Sequence, residues 1–130
     1  PHCTAVGKAL LAQMGDEQVA DVLSRTELVA HTEHTITDPV GYLRELRGVR
    51  TRGYALDEGE LELGVRCVAV ALQGGPARAA LSISGPTTRM TDELVEQVVP
   101  HLRNAAAALV AELDQAGGPA PAGPARARTG

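Results

Sequence analysis

The most constraining feature of this sequence is residues 53–86, in which two long apolar runs flank the pair Gly74 and Gly75. The runs cover residues 65–72 and 77–84. Two apolar runs that are separated by a Gly-Gly pair are typical of a β-hairpin. The sequence therefore predicts two antiparallel strands here, with a short strand at residues 54–56 before them.

The two faces of this hairpin differ in composition. A two-residue turn would pair Ala69 with Ala80, Cys67 with Ser82, and Val65 with Ser84. Because side chains alternate across a strand, one face then collects only small or weakly polar residues, namely Val65, Cys67, Ala69, Ala71, Ala80, Ser82 and Ser84. The other face collects Val68, Val70, Leu72, Leu81 and Ile83. We call the first set the small face. Such a face either meets a closely packed helix or leaves a cavity, which makes it the best candidate for a binding site.

Composition and charge narrow the class of protein. The chain has 130 residues, enough for one domain, and contains no Trp and no Phe. Its formal net charge of -4 argues against nucleic-acid binding by this chain, because phosphate neutralisation needs a concentrated basic surface. Cys3 and Cys67 have no metal-site or disulfide spacing, and no signal peptide or membrane span is recognisable. We therefore expect a cytoplasmic protein with reduced thiols and no metal or cofactor.

Four helices are predicted around the strands. Thr4 would cap a helix at residues 5–14, Asp16 one at residues 16–23, and Thr37-Asp38-Pro39 one that ends at Gly53. Thr91 would cap a long last helix that Pro100 should kink or interrupt. Residues 1–114 are expected to form one domain, and residues 115–130, rich in Gly, Pro and Ala, a disordered tail. The element order predicts an α+β fold with an antiparallel sheet, and the bare sheet edges suggest further strands before Pro1.

Other groups carry weaker functional hypotheses. His31 and His34 lie in a Thr-rich segment without helical periodicity, where solvated histidines are commoner than metal ligands. The acidic residues 57–62 could supply a pair of catalytic carboxylates, but consecutive acids at a turn usually face water. Arg44 and Arg47 are expected on a solvated helix face. The first turn of the first helix is a candidate anion site, as every helix N-terminus is.

Three sequence blocks carry a resemblance to a known family. They are HCTAVGKALLAQM, RGYALDEGELELGVRCVAVAL and ALSISGP. In them the chain resembles the effector-binding domain of IclR-type bacterial transcriptional regulators, from His2 to about Leu113. The resemblance implies a GAF-like antiparallel sheet flanked by helices. It also implies that the first strands of this domain, and a winged helix-turn-helix that binds operator DNA, are absent from this chain.

The resemblance also implies a binding site. Ala5 and Val6 would supply backbone amides, and Asp57, Cys67, Ser82 and Ser84 would supply side chains. The last three lie on the small face, so the alternation of side chains along the strands and the family resemblance indicate the same site. For Asp57, alternation cannot decide which face of the sheet the side chain lies on. A small acid could place its carboxylate on the amides of residues 5–7 and on the two serine hydroxyls, with Asp57 accepting a hydroxyl. No Lys or Arg is expected there, so affinity should be modest.

The implied function is the sensing of a small carboxylate or aromatic acid, with assembly into a dimer or tetramer and no membrane contact. No catalytic residue is implied, and Cys67 lacks an identifiable base. Two alternatives stay open at this point. An enzyme on the same cavity would turn over its bound ligand. A plain dimerisation module would show no ligand-dependent stability.

Overall fold

A computed structural model describes residues 2–74 and 78–115. Within them it contains four helices and three strands. In chain order these are α1 (Ala5–Leu11), α2 (Asp16–Arg25), α3 (Pro39–Arg52), β1 (Ala55–Glu58), β2 (Val65–Ala71), β3 (Ala80–Pro86) and α4 (Asp92–Gln115). The predicted tail lies outside the described residues apart from Gln115, which ends α4, and so does Gly75 of the predicted turn. The α+β prediction is confirmed.

The three strands form one antiparallel sheet in the order β1-β2-β3. Helices α1 to α3 cover one face of it and α4 covers the other, so each face has its own hydrophobic cluster. Cys67 and Ala69 belong to the first cluster, whereas Val68 and Val70 belong to the second. The predicted division of the hairpin into two faces is therefore correct.

The small face is covered by a closely packed helix. Ala5, Ala9 and Ala12 of α1 are buried in the same cluster as Cys67 and Ala69 of β2. Alanine at these helix positions lets the backbone of α1 approach the sheet, because no longer side chain holds the two apart. The structure shows both alternatives for the small face: α1 packs closely on Cys67 and Ala69, and a cavity of about 150 Å³ borders Ala69 and Ala71.

The predicted register of the hairpin is wrong by two residues. Cys67 pairs with Ser84 rather than Ser82, and Ala69 pairs with Ser82 rather than Ala80. The last pair is Ala71 with Ala80, beyond which the Leu72 amide donates to the Ala79 carbonyl at 2.8 Å. The connection is therefore longer than the assumed two-residue turn. Because the error is an even number, every side chain stays on its predicted face.

The helix ends follow local capping chemistry. Asp38 accepts a hydrogen bond from the Gly41 amide at 3.0 Å, and Gly53 ends α3 with a φ of 88°. Thr91 caps α4 by accepting from the Leu94 amide at 3.1 Å. The helix α4 continues through Pro100, so the predicted interruption is absent.

The first two helices differ from their predicted bounds. Helix α1 ends at Leu11 rather than at residue 14, because the Gln13 and Met14 amides donate to carbonyls three residues earlier, as in a tightened last turn. Gly15 rather than Asp16 is the N-cap of α2. Among the described residues, no helix is long and apolar enough to cross a membrane.

Candidate functional site

Three predicted site residues lie side by side across the sheet. Asp57 of β1 pairs with Cys67 of β2, and Cys67 pairs with Ser84 of β3. Ser82, two residues earlier on β3, points to the same face as Ser84, and its side chain hydrogen-bonds the Cys67 thiol. The sequence therefore places an acid, a thiol and two hydroxyls in one patch, which we call the Asp57 patch.

The side chain of Asp57 is directed inward. It is 6 % exposed, and its Oδ1 accepts a hydrogen bond from the Glu60 amide at 2.8 Å. Burial raises the pKa of this carboxyl, while the Glu60 amide and the nearby Lys8 ammonium work against that rise. The side chain of Asp57, whose direction strand alternation could not decide, therefore lies on the α1 side of the sheet.

Cys67 is buried and chemically quiet. Burial raises the pKa of its thiol to about 11, with the hydrogen bond to Ser82 acting in the opposite direction. At neutral pH almost none of it is the thiolate, which is the reactive form. Cys67 therefore forms part of the wall of the patch, as the sequence suggested, and is poorly suited to nucleophilic catalysis.

The start of α1 lies over the same face of the sheet. Ala5 is fully buried in the cluster that contains Cys67, and Val6 is half-buried. The Gly7 amide donates to the Thr4 hydroxyl at 3.0 Å, which is the N-cap bond of the helix. The prediction that residues 5–7 all offer amides is therefore too broad, since Gly7 already has an internal acceptor.

The structure also contains a buried charge cluster that the sequence argument missed. Lys8 is 1 % exposed, and its Nζ lies 2.5 Å from Glu60 Oε2, 2.8 Å from the Leu56 carbonyl oxygen and 3.3 Å from Glu45 Oε2. Glu60 is 4 % exposed, and burial raises the pKa of its carboxyl against the effect of Lys8. The sequence predicts no Lys or Arg in the pocket itself, and Lys8 lies beside Asp57 with its donors directed to these three acceptors.

The expectation that the acidic turn faces water is wrong for two of its residues. Asp57 and Glu60 are buried, while Glu58 and Glu62 are exposed. Strand pairing places Asp57 on the buried face. Lys8 holds the turn against α1, and hydrogen bonds from Thr32 to the Gly59 carbonyl and from Thr35 to the Glu60 carbonyl hold it against the preceding loop. Lys8 and Glu60 both occur in the sequence blocks that carried the family resemblance, and that was the available signal.

Three cavities lie among the described residues. One of about 340 Å³ lies between Gln73 and Arg103 at the far end of the sheet, and one of about 150 Å³ lies on the small face, lined by Ala9 and Ala12 of α1 and by Ala69 and Ala71 of β2. A third of about 300 Å³ is lined by His34, Glu58 and Arg66, among others. The patch is instead close-packed beneath α1, with Ser82 and Ser84 half-buried at the β3 side.

The remaining candidate groups are on the surface. His31 and His34 are exposed in the loop before α3, and no cluster of metal-ligating residues exists within residues 2–74 and 78–115. Arg44 and Arg47 are exposed, as expected for a solvated helix face, and Arg47 pairs with Asp16 at 3.2 Å.

Comparison with known proteins decides the family. The family model described as bacterial transcriptional regulator IclR C-terminal matches residues 1–111. This chain belongs to the IclR C-terminal family. The transcriptional repressor IclR of Escherichia coli K12 is 42 % identical over 98 residues, which are 74 % of this chain and 36 % of the repressor. The chain thus spans about a third of the length of this relative.

Solved structures agree with the assignment. The C-terminal domain of the E. coli transcriptional regulator KdgR has a TM-score of 0.80 and 37 % identity, covering 86 % of this chain and 70 % of that domain. The inducer-binding domain of a double mutant of the PobR transcription factor from Acinetobacter, in complex with 3-hydroxybenzoic acid, has a TM-score of 0.77 and 36 % identity, over 83 % of this chain and 63 % of that one. These relatives are transcriptional regulators rather than enzymes.

Proposed function

We propose that this chain is the effector-binding part of an IclR-type transcriptional regulator and that its effector is a small carboxylic acid. The Asp57 patch would be the site, with Ala5, Val6, Asp57, Cys67, Ser82 and Ser84 as its contacts. The observation that carries the proposal is the alignment of Asp57, Cys67 and Ser84 across three strands, under the start of α1.

The chemistry of the patch suits a small acid that also carries a hydroxyl. The Ser82 and Ser84 hydroxyls and the amides at the start of α1 can donate hydrogen bonds to a carboxylate. Asp57 can accept a hydrogen bond from a hydroxyl of the same molecule. The solved inducer-binding relative holds 3-hydroxybenzoic acid, which has both groups, and this supports the chemical class rather than the identity.

The regulatory setting follows from the family. Regulation of transcription would require operator DNA to be bound by a segment outside this chain, because the net charge of -4 gives this chain little attraction for phosphate. The regulator would work in the cytoplasm, where its operator lies. Within the described residues β1 and β3 each pair with another strand on one side only, and this, with the family resemblance, favours a homodimer or tetramer.

A thermal-shift screen of small carboxylic acids tests the proposal, with 3-hydroxybenzoate among them. A ligand that binds only the native state at a hundred times its dissociation constant stabilises it by about 2.7 kcal/mol. We expect at least one acid to raise the melting temperature by several degrees. The double variant Ser82→Ala/Ser84→Ala should lose most of that rise.

Two controls keep the test specific to the patch. Arg44→Ala, on the exposed face of α3, should keep the full shift. Without ligand, the double serine variant should have nearly the same melting temperature as the parent, because positions 69 and 80 on the same face already hold alanine. If the serine variant binds an acid as well as the parent does, the Asp57 patch is ordinary packing. If no acid binds the parent at all, the proposed function fails.

A further inference from the structure

Lys8 contacts the chain on both sides of Asp57. Its Nζ lies 2.8 Å from the carbonyl oxygen of Leu56, the residue before Asp57, and 2.5 Å from Oε2 of Glu60, three residues after it. Glu60 in turn donates its amide to Asp57 Oδ1 at 2.8 Å. One buried ammonium therefore holds the strand end and the turn from which the Asp57 carboxylate projects.

Lys8 also belongs to the other half of the candidate site. It lies in α1, one turn after Ala5, and its amide donates to the Thr4 carbonyl at 3.0 Å. The side chain thus joins the first turn of α1 to the end of β1. A flexible, strongly hydrated lysine is an expensive group to bury, and it persists only where its donors are satisfied.

Resting on the proposed function, we propose that Lys8 is the positioning residue of the effector site: it fixes the Asp57 carboxylate relative to α1 through Leu56 and Glu60. It is not itself a ligand contact. Its ammonium has three acceptors, Glu60, Leu56 and Glu45, which account for all its donors. The geometry of the site and the charge near Asp57 therefore depend on the same side chain.

The charges around Asp57 make this role measurable. On the α1 side lie Lys8 and the thiol of Cys3, on β2 the thiol of Cys67, and in the turn Glu58 and Glu60. Lys8 is the cation among them. Loss of its charge should raise the pKa of Asp57, whereas loss of the Glu60 charge should lower it.

The experiment is a titration of the Asp57 carboxyl by carbon-detected NMR in the whole chain, without any acid added. Lys8→Met keeps the length of the side chain and removes the charge, so the Asp57 midpoint should move to higher pH. Glu60→Gln keeps the shape and removes a negative neighbour, so the midpoint should move to lower pH. Opposite shifts follow from the opposite charges of the two partners and would not result from loss of packing alone.

Arg66→Met is the matched control. Arg66 is also a buried cation, 8 % exposed and paired with Glu58 and Asp92, but it lies on the α4 face of the sheet. Its loss should lower stability and, because Arg66 pairs with Glu58 next to Asp57, raise the Asp57 midpoint by less than Lys8→Met does. The inference is overturned if Arg66→Met moves the midpoint as far as Lys8→Met does. It is also overturned if neither Lys8→Met nor Glu60→Gln moves it.

Two features of the design make each outcome decisive. If Lys8→Met does not fold, Glu60→Gln still gives the sign of the effect, and an unchanged or raised midpoint there contradicts the inference. Because no acid is present, the titration is independent of the ligand screen. Failure of the screen defeats the proposed function, whereas failure of the titration defeats only the role of Lys8.

Discussion

The two faces of the sheet are built from different kinds of side chain, although the same three strands supply both. The face toward α4 is filled by large aliphatic residues such as Val68, Val70 and Leu102. On the face toward α1 the strands contribute buried Ala and Cys and half-buried Ser, and Tyr42 and Leu46 of α3 belong to the same cluster. The large side chains bury more apolar surface per residue on the α4 face. The small side chains on the other face let α1 lie close to the sheet and leave polar groups near the start of α1.

In the part of the chain that the structure describes, each face also holds one buried cation, and the two cations differ in how exposed their partners are. Arg66 pairs with Glu58 and Asp92, which are 54 % and 86 % exposed. Lys8 pairs with Glu60 and Glu45, which are 5 % and 25 % exposed. Charges are screened far less when both partners are buried. The comparison indicates that the α4 face mainly stabilises the fold, while electrostatic effects are concentrated on the α1 face.

The largest stability effect should come from the α4 face. Leu102→Ala removes a side chain that is 7 % exposed and should lower the free energy of unfolding by about 2–5 kcal/mol through lost burial and a cavity. Urea unfolding measures it. Leu63→Ala, the same substitution at a residue that is 56 % exposed, should stay within about 0.5 kcal/mol. Equal losses in the two variants would contradict the assignment of the core.

A substitution that enlarges a side chain should distinguish the α1 face. Ala69 is fully buried beneath α1, so Ala69→Val should cost about 1–3 kcal/mol because the added methyl groups push against the helix. Ala71→Val is the matched control, since Ala71 lies on the same strand and face and borders the same cavity of about 150 Å³ but is only half-buried. We expect it to be nearly neutral in the same urea experiment. If Ala69→Val is also neutral, α1 is not closely packed.

The pH dependence of stability should give the smallest effect and should come from the α1 face. Burial raises the pKa of both Asp57 and Glu60, so the folded state holds their protons more tightly than the unfolded state does. Their contribution to stability is complete below the ordinary carboxyl pKa of about 4 and is lost as pH rises through the raised values. Unfolding measured from pH 4 upward should show this loss, and Asp57→Asn/Glu60→Gln should flatten it. A steeper loss in the double variant would contradict the assignment.

The sequence predicted the faces of the sheet better than the pairing between strands. Alternation has a period of two and depends only on the strand, so the small face could be read from Cys67, Ala69 and Ser82 alone. Register depends on the length of the connection, and the Gly-Gly pair suggested a shorter one than the structure has. The predicted register was shifted by two residues, which left both serines on the α1 side of the sheet. A shift of one residue would have moved them to the α4 side.

The Lys8 cluster was beyond reach of local pattern reasoning. Lys8 and Glu60 are 52 residues apart, and no periodicity relates them. A lone lysine on a helix and a glutamate at a turn are usually solvated. Lys8 and Glu60 are exceptions, because both are buried and pair with each other. The buried position of Asp57 was equally hidden, because it depends on the pairing of β1 with β2 rather than on its neighbours in the chain.

The alignment of Asp57, Cys67 and Ser84 has a mechanical consequence. These residues belong to three different strands at one level of the sheet, so a molecule that contacts Asp57 and Ser84 together would bridge from one edge strand to the other. Such a bridge would add to the backbone hydrogen bonds and cross-strand side-chain pairs that resist the sliding of one strand past the next. Occupancy would then stiffen the whole width of the sheet, and a partner that pairs with either edge would meet a more rigid surface.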